Sequence, residues 1–520
     1  MASIGTSKRP KKKRKKRNNN NHEGNSSSSS SSNAVPFSTT IVPGTVYEVE
    51  NQFELMVGSK EKVKEFFDTT WEKKPRIYRN GDDCKTTPPF HNFKKDNLME
   101  ILHFAQAAHK REKILNRWEG PRDVLLFMKN RTPNFSYESP FHAYLDGASI
   151  ICNHMEYYSK AVYSLCVNLR KTFPHVFVNT YLTPPNSQAV APHADDRDVL
   201  VWQSAGKKKW IVYKDPPIPF PYHKEQVGKS NEYQIPDNIL KKTAEPYLEI
   251  TLNPGDILYI PRGYVHEAYT SKSNPSFHLT IALKTDDWSF ANQMERILMI
   301  ERNNINKNLV QQFRKWADTI DENGTNLKWR HSVPPHFICE KLKNLYSDAE
   351  KKRTFEDIIR SLSGYGEKNN IQQFINVAYS LSFTEFEFSF RGYIFSKNMP
   401  QDIEFRGEPR VRKIYDEKAN KTILGPDSYV RRLTREEKEE RSKKNTDDDN
   451  NNKGGIVARD CLSSYFGAIL QSINDHTPVR IGSFGSNEEN TGMLCAWSKV
   501  CFAYVCVELG ILIPCEKECK

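Results

Sequence analysis

One stretch of this chain constrains its fold more than any other, because strand-like alternation there leads into a histidine and an aspartate two positions apart. Over residues 176–182 the side chains fall alternately on an aliphatic face and on a face that carries Asn179 and Tyr181. A Pro-Pro-Asn turn then leads to His193 and Asp195. Side chains two apart on extended backbone share a face, so this imidazole and this carboxylate can converge on one ion.

A second segment downstream supplies a third potential ligand. His266 follows the apolar run 257–260 and a Pro-Arg-Gly turn. Between the two segments we expect strands at 199–203 and 210–213, joined by a turn at residues 205–206. Two histidines and one carboxylate leave coordination positions open, which suits a non-haem Fe(II) that binds a cosubstrate and oxygen together. This order of elements is typical of a double-stranded β-helix oxygenase.

The spacing of a histidine two residues before an acid is weak evidence by itself. It recurs at His154 with Glu156 and at His223 with Glu225, but neither pair has an equivalent strand setting. His278 also lies near the expected site in sequence, and for such a residue a buried core or supporting role is more common than that of a fourth ligand. The strand setting therefore favours the first set alone.

Three motifs, NTYLTPPNSQ, APHADD and PGDILYIPRG, resemble those of the JmjC ribosomal oxygenases. The resemblance covers residues 66–285. It implies an α+β chain whose catalytic domain is a double-stranded β-helix of the JmjC/cupin type. It also implies iron ligands at His193, Asp195 and His266, with Fe(II) as cofactor and 2-oxoglutarate as cosubstrate.

The same resemblance implies roles for residues in the pocket. It assigns cosubstrate binding to Lys208 and Asn179 and places Tyr181 in the substrate pocket. The family's pocket serine on the strand after the distal histidine is Ala282 here, so one hydrogen bond of the family is missing. Without the resemblance, a run of lysines is usually a solvated turn. Strand alternation nevertheless puts Lys208 on the same face as Trp210, with its two lysine neighbours pointing the other way.

The activity implied by the resemblance is hydroxylation of a histidine of a ribosomal protein, demethylation of histone lysines, or both. The two reactions share one core, because hydroxylating a carbon bonded to nitrogen gives an adduct that collapses. Two alternatives stay open at this point. One is a catalytically inactive JmjC module that binds chromatin or assembling ribosomes, and the other is a cupin that carries zinc or manganese.

The chain divides by texture and by family precedent into four parts. Residues 1–35 form a basic and Asn/Ser-rich tail that we expect to be disordered. Residues 36–285 hold the catalytic domain. Residues 286–382 are helical in pattern and lie where the family has a dimerisation domain, which predicts a homodimer. Residues 383–520 lie where the family has a winged-helix-like domain, and we expect a disordered insert at 434–455.

The tail holds most of the chain's excess positive charge. Nine of the 76 Lys and Arg lie in residues 8–17, and the remaining 67 nearly balance 64 Asp and Glu. Such a block predicts a nuclear address, and by family precedent a nucleolar one, or an arm that contacts RNA or chromatin. The alternative is a tail that merely aids solubility.

Ten cysteines without a signal peptide predict a reduced intracellular setting. Five of them crowd the C-terminal end without paired CxxC spacing, which favours reduced thiols over a zinc site. The apolar run 493–514 is interrupted by Lys499 and Glu508. We therefore expect a buried helix closed by Gly510 and no membrane span.

Overall fold

The computed structural model describes residues 52–80, 104–106, 108–109, 124–127, 137, 139–229, 232–301, 307–319, 327–333, 347–360, 424, 427–444, 460–485 and 496–515. The basic tail, the start of the expected catalytic domain and the whole of 361–423 lie outside the described residues, so the predictions made for those segments stay predictions.

The described helices are α1 (Gln52–Val57), α2 (Lys60–Thr69), α3 (Pro140–Leu145), α4 (Lys160–Leu169), α5 (Asp237–Leu240), α6 (Phe290–Glu301), α7 (Lys307–Asp318), α8 (Leu327–Arg330), α9 (Asp348–Arg360), α10 (Arg435–Lys444), α11 (Asp460–Ser472) and α12 (Ala496–Glu508). The described strands are β1 (Arg76–Tyr78), β2 (Val124–Phe127), β3 (Ser149–Cys152), β4 (Val176–Thr183), β5 (Asp198–Gly206), β6 (Lys208–Tyr213), β7 (Pro246–Leu252), β8 (Ile257–Ile260), β9 (His266–Tyr269), β10 (Ser276–Leu283), β11 (Tyr429–Arg432), β12 (Val479–Arg480) and β13 (Leu512–Cys515).

Two antiparallel sheets pack face to face around a buried apolar cluster. The larger has the order β1-β8-β5-β10-β4-β3-β2, and the smaller has the order β7-β6-β9. Val199 and Val201 of the larger sheet pack against Trp210 and Val212 of the smaller one in a buried cluster. This is the β-sandwich of the JmjC/cupin fold, as the strand pattern predicted.

The outer face of the larger sheet is covered by helices and aromatic rings. Phe66 of α2 contacts Tyr259 of β8 edge to face, with ring centroids 4.9 Å apart. Trp71 stacks on both Tyr259 and Phe173. The aliphatic face of β4 contributes to the same core, which fixes the register of β4 because a slip of one residue would bury its polar face instead.

The turn between β5 and β6 connects the two sheets. It lies at Gly206 and Lys207, one residue later than the predicted 205–206, because pairing with β10 extends β5 through Gly206. Gly206 has a φ of +64°, and a Cβ there would lie 1.9 Å from the carbonyl oxygen of Pro275. Only glycine fits this position, so the corner between the sheets depends on it.

After residue 285 the chain becomes helical, as the sequence texture predicted. Trp288, Phe313 and Trp329 are buried where α6, α7 and α8 meet. The indole N–H of Trp71 donates to the hydroxyl of Ser332 at 3.0 Å, which ties this helical segment to the segment between α2 and β1.

The C-terminal part combines α11 and α12 with a three-stranded sheet of order β12-β11-β13. Gly510, at a φ of +69°, ends α12, and the Ile511 amide closes the cap on the Cys506 carbonyl at 2.8 Å. This agrees with the prediction of a buried helix closed by Gly510. Among the described helices, none has the length and apolar character that crossing a membrane would require.

The expectation of disorder at 434–455 is wrong for its first part, where α10 forms. The Glu437 amide donates to the Thr434 hydroxyl at 3.2 Å, and the Thr434 amide donates to the Glu437 carboxylate at 2.8 Å. This reciprocal pair is a capping box, which satisfies two amides at the helix start. Glu437 also accepts two hydrogen bonds from Arg431 of β11. The high charge that indicated disorder thus supplies the cap. Residues 445–455 lie outside the described part.

Candidate metal centre

His193 and His266 come together through the backbone before their side chains are considered. The His266 amide donates to the His193 carbonyl at 2.9 Å, and the His193 amide returns a bond to the His266 carbonyl at 3.2 Å. The Gly263 amide donates to the Asp195 carbonyl at 2.9 Å. The ligand pair and the distal turn are therefore fixed to each other by main-chain bonds.

The three side chains converge on one point. The His193 Nε2 atom lies 3.9 Å from one Asp195 oxygen, and the His266 Nε2 atom lies 3.7 Å from the other. One ligand atom from each residue lies within 4.8 Å of the other two. Within the described residues this is the one group of His, Cys, Asp or Glu side chains with such geometry.

The protonation of both imidazoles suits a metal. His193 Nδ1 lies 2.8 Å from the Ala191 carbonyl, and His266 Nδ1 lies 3.1 Å from the Tyr264 carbonyl. A carbonyl only accepts, so each Nδ1 carries the proton and each Nε2 presents its lone pair toward Asp195. Burial, the Lys229 charge and His266 lower the pKa of His193 to about 3, and burial also lowers the pKa of His266. Both rings are thus neutral ligands, and the set fits a divalent cation.

Asp195 stays ionised although it is buried. Burial alone would raise the pKa of its carboxyl, but the positive charge of Lys229 holds that pKa well below its usual range. The Lys229 ammonium donates directly to Asp195 Oδ1. The role of Lys229 could not be predicted from local sequence, because the contact spans 34 residues and depends on the path of an irregular loop.

Lys208 points into the space between the two sheets, on the face that alternation predicted. It is 3% exposed, whereas Lys209 pairs with Glu249 on the outer side. Its Nζ donates to the Thr183 hydroxyl at 3.1 Å and lies 5.9 Å from the centre of the Trp210 ring. Burial lowers the pKa of Lys208 to about 7, and among the described residues no acidic group counters that effect. An anion beside Lys208 would supply this partner.

Asn179 and Tyr181 lie on the face of β4 that is turned toward the site. The Asn179 side-chain carbonyl accepts the His154 amide at 3.1 Å. Tyr181 stacks on His278 of β10, with ring centroids 4.8 Å apart and planes 7° apart. Burial, and then the charge of Asp195, raise the pKa of Tyr181, so its hydroxyl keeps its proton. His278 stands outside the three-residue group, in the supporting role that was expected.

Ala282 lies on β10 between Phe177 of β4 and Val199 of β5. It is 2% exposed. The methyl group provides no hydrogen bond where the resembled family has a serine hydroxyl. A ligand bound beside Ala282 therefore receives no side-chain hydrogen bond from this residue.

The two other His-x-acid pairs support the structure around the centre. His154 lies 2.9 Å from Glu156, whose other oxygen accepts the Val178 amide at 2.9 Å. His223 instead pairs with Asp196 at 2.7 Å, and Glu225 pairs with Arg330. The strand setting thus separated the converging set from these two pairs.

A buried ion pair holds the turn that precedes His266. The Arg262 guanidinium donates to Glu72 at 2.9 Å, and the Arg262 amide donates to Asp198 at 2.6 Å. The second Glu72 oxygen accepts the Ser332 amide at 2.8 Å. Burial alone would raise the pKa of Glu72, but the Arg262 charge lowers it. Glu72 and Asp198 therefore hold the turn at Arg262, and Ser332 in turn holds Glu72.

Comparison with known proteins agrees with this geometry. Residues 153–292 match the JmjC domain family. The chain is 36% identical over 240 residues to "Bifunctional lysine-specific demethylase and histidyl-hydroxylase NO66" of Drosophila willistoni, covering 46% of this chain and 29% of that protein. It is 30% identical over 224 residues to the protein of the same name from Dictyostelium discoideum, covering 42% and 40%. The chain thus spans well under half the length of these relatives.

Among solved structures, the chain is similar to the Escherichia coli ribosomal oxygenase YcfD. The YcfD complex with cobalt and 2-oxoglutarate shares 16% identity, with a TM-score of 0.33, over 71% of this chain and 79% of that one. A cupin-like protein from Thermotoga maritima shares 12% identity, with a TM-score of 0.16, over 26% and 70%.

The domain match and the site together define a JmjC-domain protein. Within that class the chain is similar to the relatives named as NO66.

Proposed function

We propose that this chain is an Fe(II)- and 2-oxoglutarate-dependent oxygenase. The observation that carries the proposal is the convergence of two neutral imidazoles and one ionised carboxylate, with their free lone pairs within 4.8 Å of one another. In this assignment His193, Asp195 and His266 hold the metal. When bound, Fe(II) with 2-oxoglutarate would supply the oxidation of a C–H bond of the substrate by O2.

Lys208 is the proposed anchor for the distal carboxylate of 2-oxoglutarate. It presents a buried amine that donates to the neutral hydroxyl of Thr183, and burial lowers its pKa to about 7. An incoming carboxylate would restore the charge on Lys208 and form a charge-assisted hydrogen bond in a site that excludes water. Asn179 is assigned to the cosubstrate side and Tyr181 to the substrate side, where its protonated hydroxyl can donate.

The proposed substrate is a histidine of a ribosomal protein, with histone lysine demethylation as the rival activity. Support comes from the names of the relatives, which include both activities, and from the motifs shared with the ribosomal oxygenases. The competing function, a JmjC binding module without catalysis, is disfavoured because the full ligand set and Lys208 are present.

The test is a double variant, His193→Ala with Asp195→Ala, in the full-length chain. It should lose bound iron and Fe(II)-dependent conversion of 2-oxoglutarate to succinate while its circular dichroism is retained. His154→Ala is the matched control, because that histidine has the same spacing to an acid but pairs with a structural carboxylate. Turnover that survives in the double variant would refute the assignment, and zinc or manganese as the native metal would support a different cupin.

The substrate assignment needs a separate measurement. Mass spectrometry of ribosomal proteins from cells with and without the gene should show a histidine that gains one oxygen only when the gene is present. Purified enzyme on methylated histone peptides is the parallel assay. Absence of that modification together with clear demethylation would reverse the ranking of the two activities.

The segments outside the catalytic domain complete the proposal. Residues 286–382 are assigned to dimerisation, supported by the helices α6 to α9. Residues 383–520 are assigned to a winged-helix-like domain, supported by α12, which packs on a three-stranded sheet, and by α11, whose Phe466 stacks on Phe502 of α12. Light scattering on the full chain tests the dimer, and a mass equal to one chain would exclude it.

The proposed location is the nucleus, and more narrowly the nucleolus. Support comes from the basic block at residues 8–17, which lies outside the described residues and also provides the proposed contact with RNA or chromatin. Deleting the block should move a fluorescent fusion to the cytoplasm. Unchanged nuclear signal would place the address elsewhere in the chain.

A further inference from the structure

Lys229 brings a positive charge into the candidate metal centre from its solvent side. Its ammonium donates to Asp195 Oδ1, one of the two carboxylate oxygens that Asp195 offers to a metal. The Lys229 side chain is 35% exposed, whereas that of Asp195 is 16% exposed. The lysine is therefore the more exposed partner of this ion pair.

The backbone that carries Lys229 is fixed to the ligand segment itself. The Ala194 amide, between the two ligands of the pair, donates to the Val227 carbonyl at 2.9 Å. Gly228 has a φ of +78°, and a Cβ there would lie 2.7 Å from the Pro192 carbonyl oxygen. The close approach of the two segments requires glycine at this point.

Asp196 fixes the loop that carries Lys229 through two side-chain hydrogen bonds. It is fully buried and accepts from His223 at 2.7 Å and from Gln226 at 3.2 Å. The Lys229 amide donates to the Gln226 carbonyl at 3.2 Å. Because the backbone is fastened at these points, the part of Lys229 that can move without breaking them is its four-carbon side chain.

We propose that Lys229 is an internal competitor for the metal. In the metal-free protein it neutralises Asp195, and it swings toward solvent when a divalent cation takes the carboxylate. The inference rests on the metal centre proposed above. The consequence is that metal binding must break one charge-assisted hydrogen bond, so Lys229 weakens metal affinity and stabilises the metal-free fold.

Cobalt(II) titration of the metal-free, full-length protein tests this competition without any need for turnover. Lys229→Met removes the charge and keeps the apolar stem, and it should bind cobalt roughly three- to tenfold more tightly, the equivalent of one partly exposed charge contact. Lys229→Gln serves as a second neutral variant if the first folds poorly. Lys229→Arg keeps the charge and should stay near wild type. Lys224→Met, at an exposed lysine of the same loop, is the matched control.

A second readout separates competition from a merely structural role. Without metal, Lys229→Met should unfold at lower urea than wild type, because Asp195 loses its neutralising partner, and saturating cobalt should abolish that difference. Equal or weaker cobalt binding by both neutral variants would overturn the competition. If folded wild-type protein binds no cobalt at all, the assignment of the metal centre is wrong. If wild type and both neutral variants bind cobalt with the same affinity, the metal centre stands and only the competition by Lys229 is refuted.

Discussion

The two ligand histidines show how main-chain contacts prepare single residues for their chemistry. Each Nδ1 is committed to a carbonyl two positions earlier in the chain, Ala191 for His193 and Tyr264 for His266. This arrangement fixes the tautomer without a dedicated carboxylate. The lone pairs of Nε2 are thereby aimed at Asp195 before any ion binds, which lowers the reorganisation needed to form the site.

Lys208 gives a prediction about the cosubstrate. Lys208→Met should raise the apparent KM for 2-oxoglutarate by roughly 10- to 100-fold, because one charge-assisted hydrogen bond is lost. Metal content should stay unchanged, since Lys208 contacts Thr183 and not the three ligands. Lys209→Met is the control, because that neighbour pairs with Glu249 on the outer side. An unchanged KM would remove Lys208 from the cosubstrate site.

The same lysine gives a prediction about pH. Burial lowers the pKa of Lys208 in the folded protein to about 7, whereas an unfolded lysine titrates near 10.4, so between these values the unfolded chain binds one proton more. Stability therefore rises as pH increases from neutral toward 10 and falls as pH decreases. In urea titrations, the unfolding free energy of wild type relative to Lys208→Met should increase across this window. A difference independent of pH would show that Lys208 is solvated.

Ala282 gives a third prediction at this scale. Ala282→Ser places a hydroxyl between Phe177 and Val199, and without a partner its burial should cost roughly 1 to 3 kcal/mol of unfolding free energy. If the pocket serine of the family bonds the cosubstrate, 2-oxoglutarate should restore much of that loss. Thermal melts with and without the cosubstrate measure both effects. A loss that the cosubstrate leaves unchanged would show that residue 282 does not reach it.

The strand period explains which site residues sequence could predict. Alternation was sufficient to place Asn179, Tyr181 and Lys208 on inward faces, because the period of two is a local property of the chain. Lys229 and Thr183 became visible only in three dimensions. Their contacts span 34 and 25 residues and depend on how the loop and the two sheets fold back.

At the level of elements, the turn before His266 depends on the buried pair of Arg262 and Glu72. The pair joins the Pro-Arg-Gly turn to the turn that follows α2 and, through Ser332, to the segment after α8. Sequence analysis assigned no role to Glu72, since the pairing spans 190 residues. By contrast, α10 was missed for a local reason: its high charge was taken to indicate disorder, although Thr434 and Glu437 form the capping box.

Glu72→Gln should therefore destabilise the fold strongly. It leaves the buried Arg262 guanidinium without its counter-charge, and breaking one partner of a buried pair costs roughly 3 to 5 kcal/mol. Glu65→Gln is the matched control, because the ion pair of Glu65 with Arg76 is partly exposed and contributes at most about 1 kcal/mol to the unfolding free energy. Urea unfolding of the two variants compares them directly. Similar losses in both would show that the Arg262 pair contributes no more than a surface contact.

At the level of the whole molecule, the C-terminal segment is packed onto the part of the chain that holds the candidate metal centre. The rings of Phe141 in α3 and Tyr504 in α12 stack with centroids 4.5 Å apart and planes 4° apart. The Tyr504 hydroxyl accepts the Leu424 amide at 2.9 Å. The sequence indicated an apolar helix here but not its partner, because an apolar stripe does not specify which surface will cover it.

This contact predicts that a substitution at Tyr504 lowers the unfolding free energy without changing metal affinity. Tyr504→Ala removes the stack and leaves the Leu424 amide unpaired, so it should lower the unfolding free energy by roughly 3 to 5 kcal/mol. Cobalt affinity should stay at the wild-type value, because the bonds that join His193 to His266 involve neither ring. Tyr247→Ala, at an exposed tyrosine of β7, is the control for loss of an aromatic side chain. Weaker cobalt binding by folded Tyr504→Ala would show instead that the C-terminal segment is coupled to the metal centre.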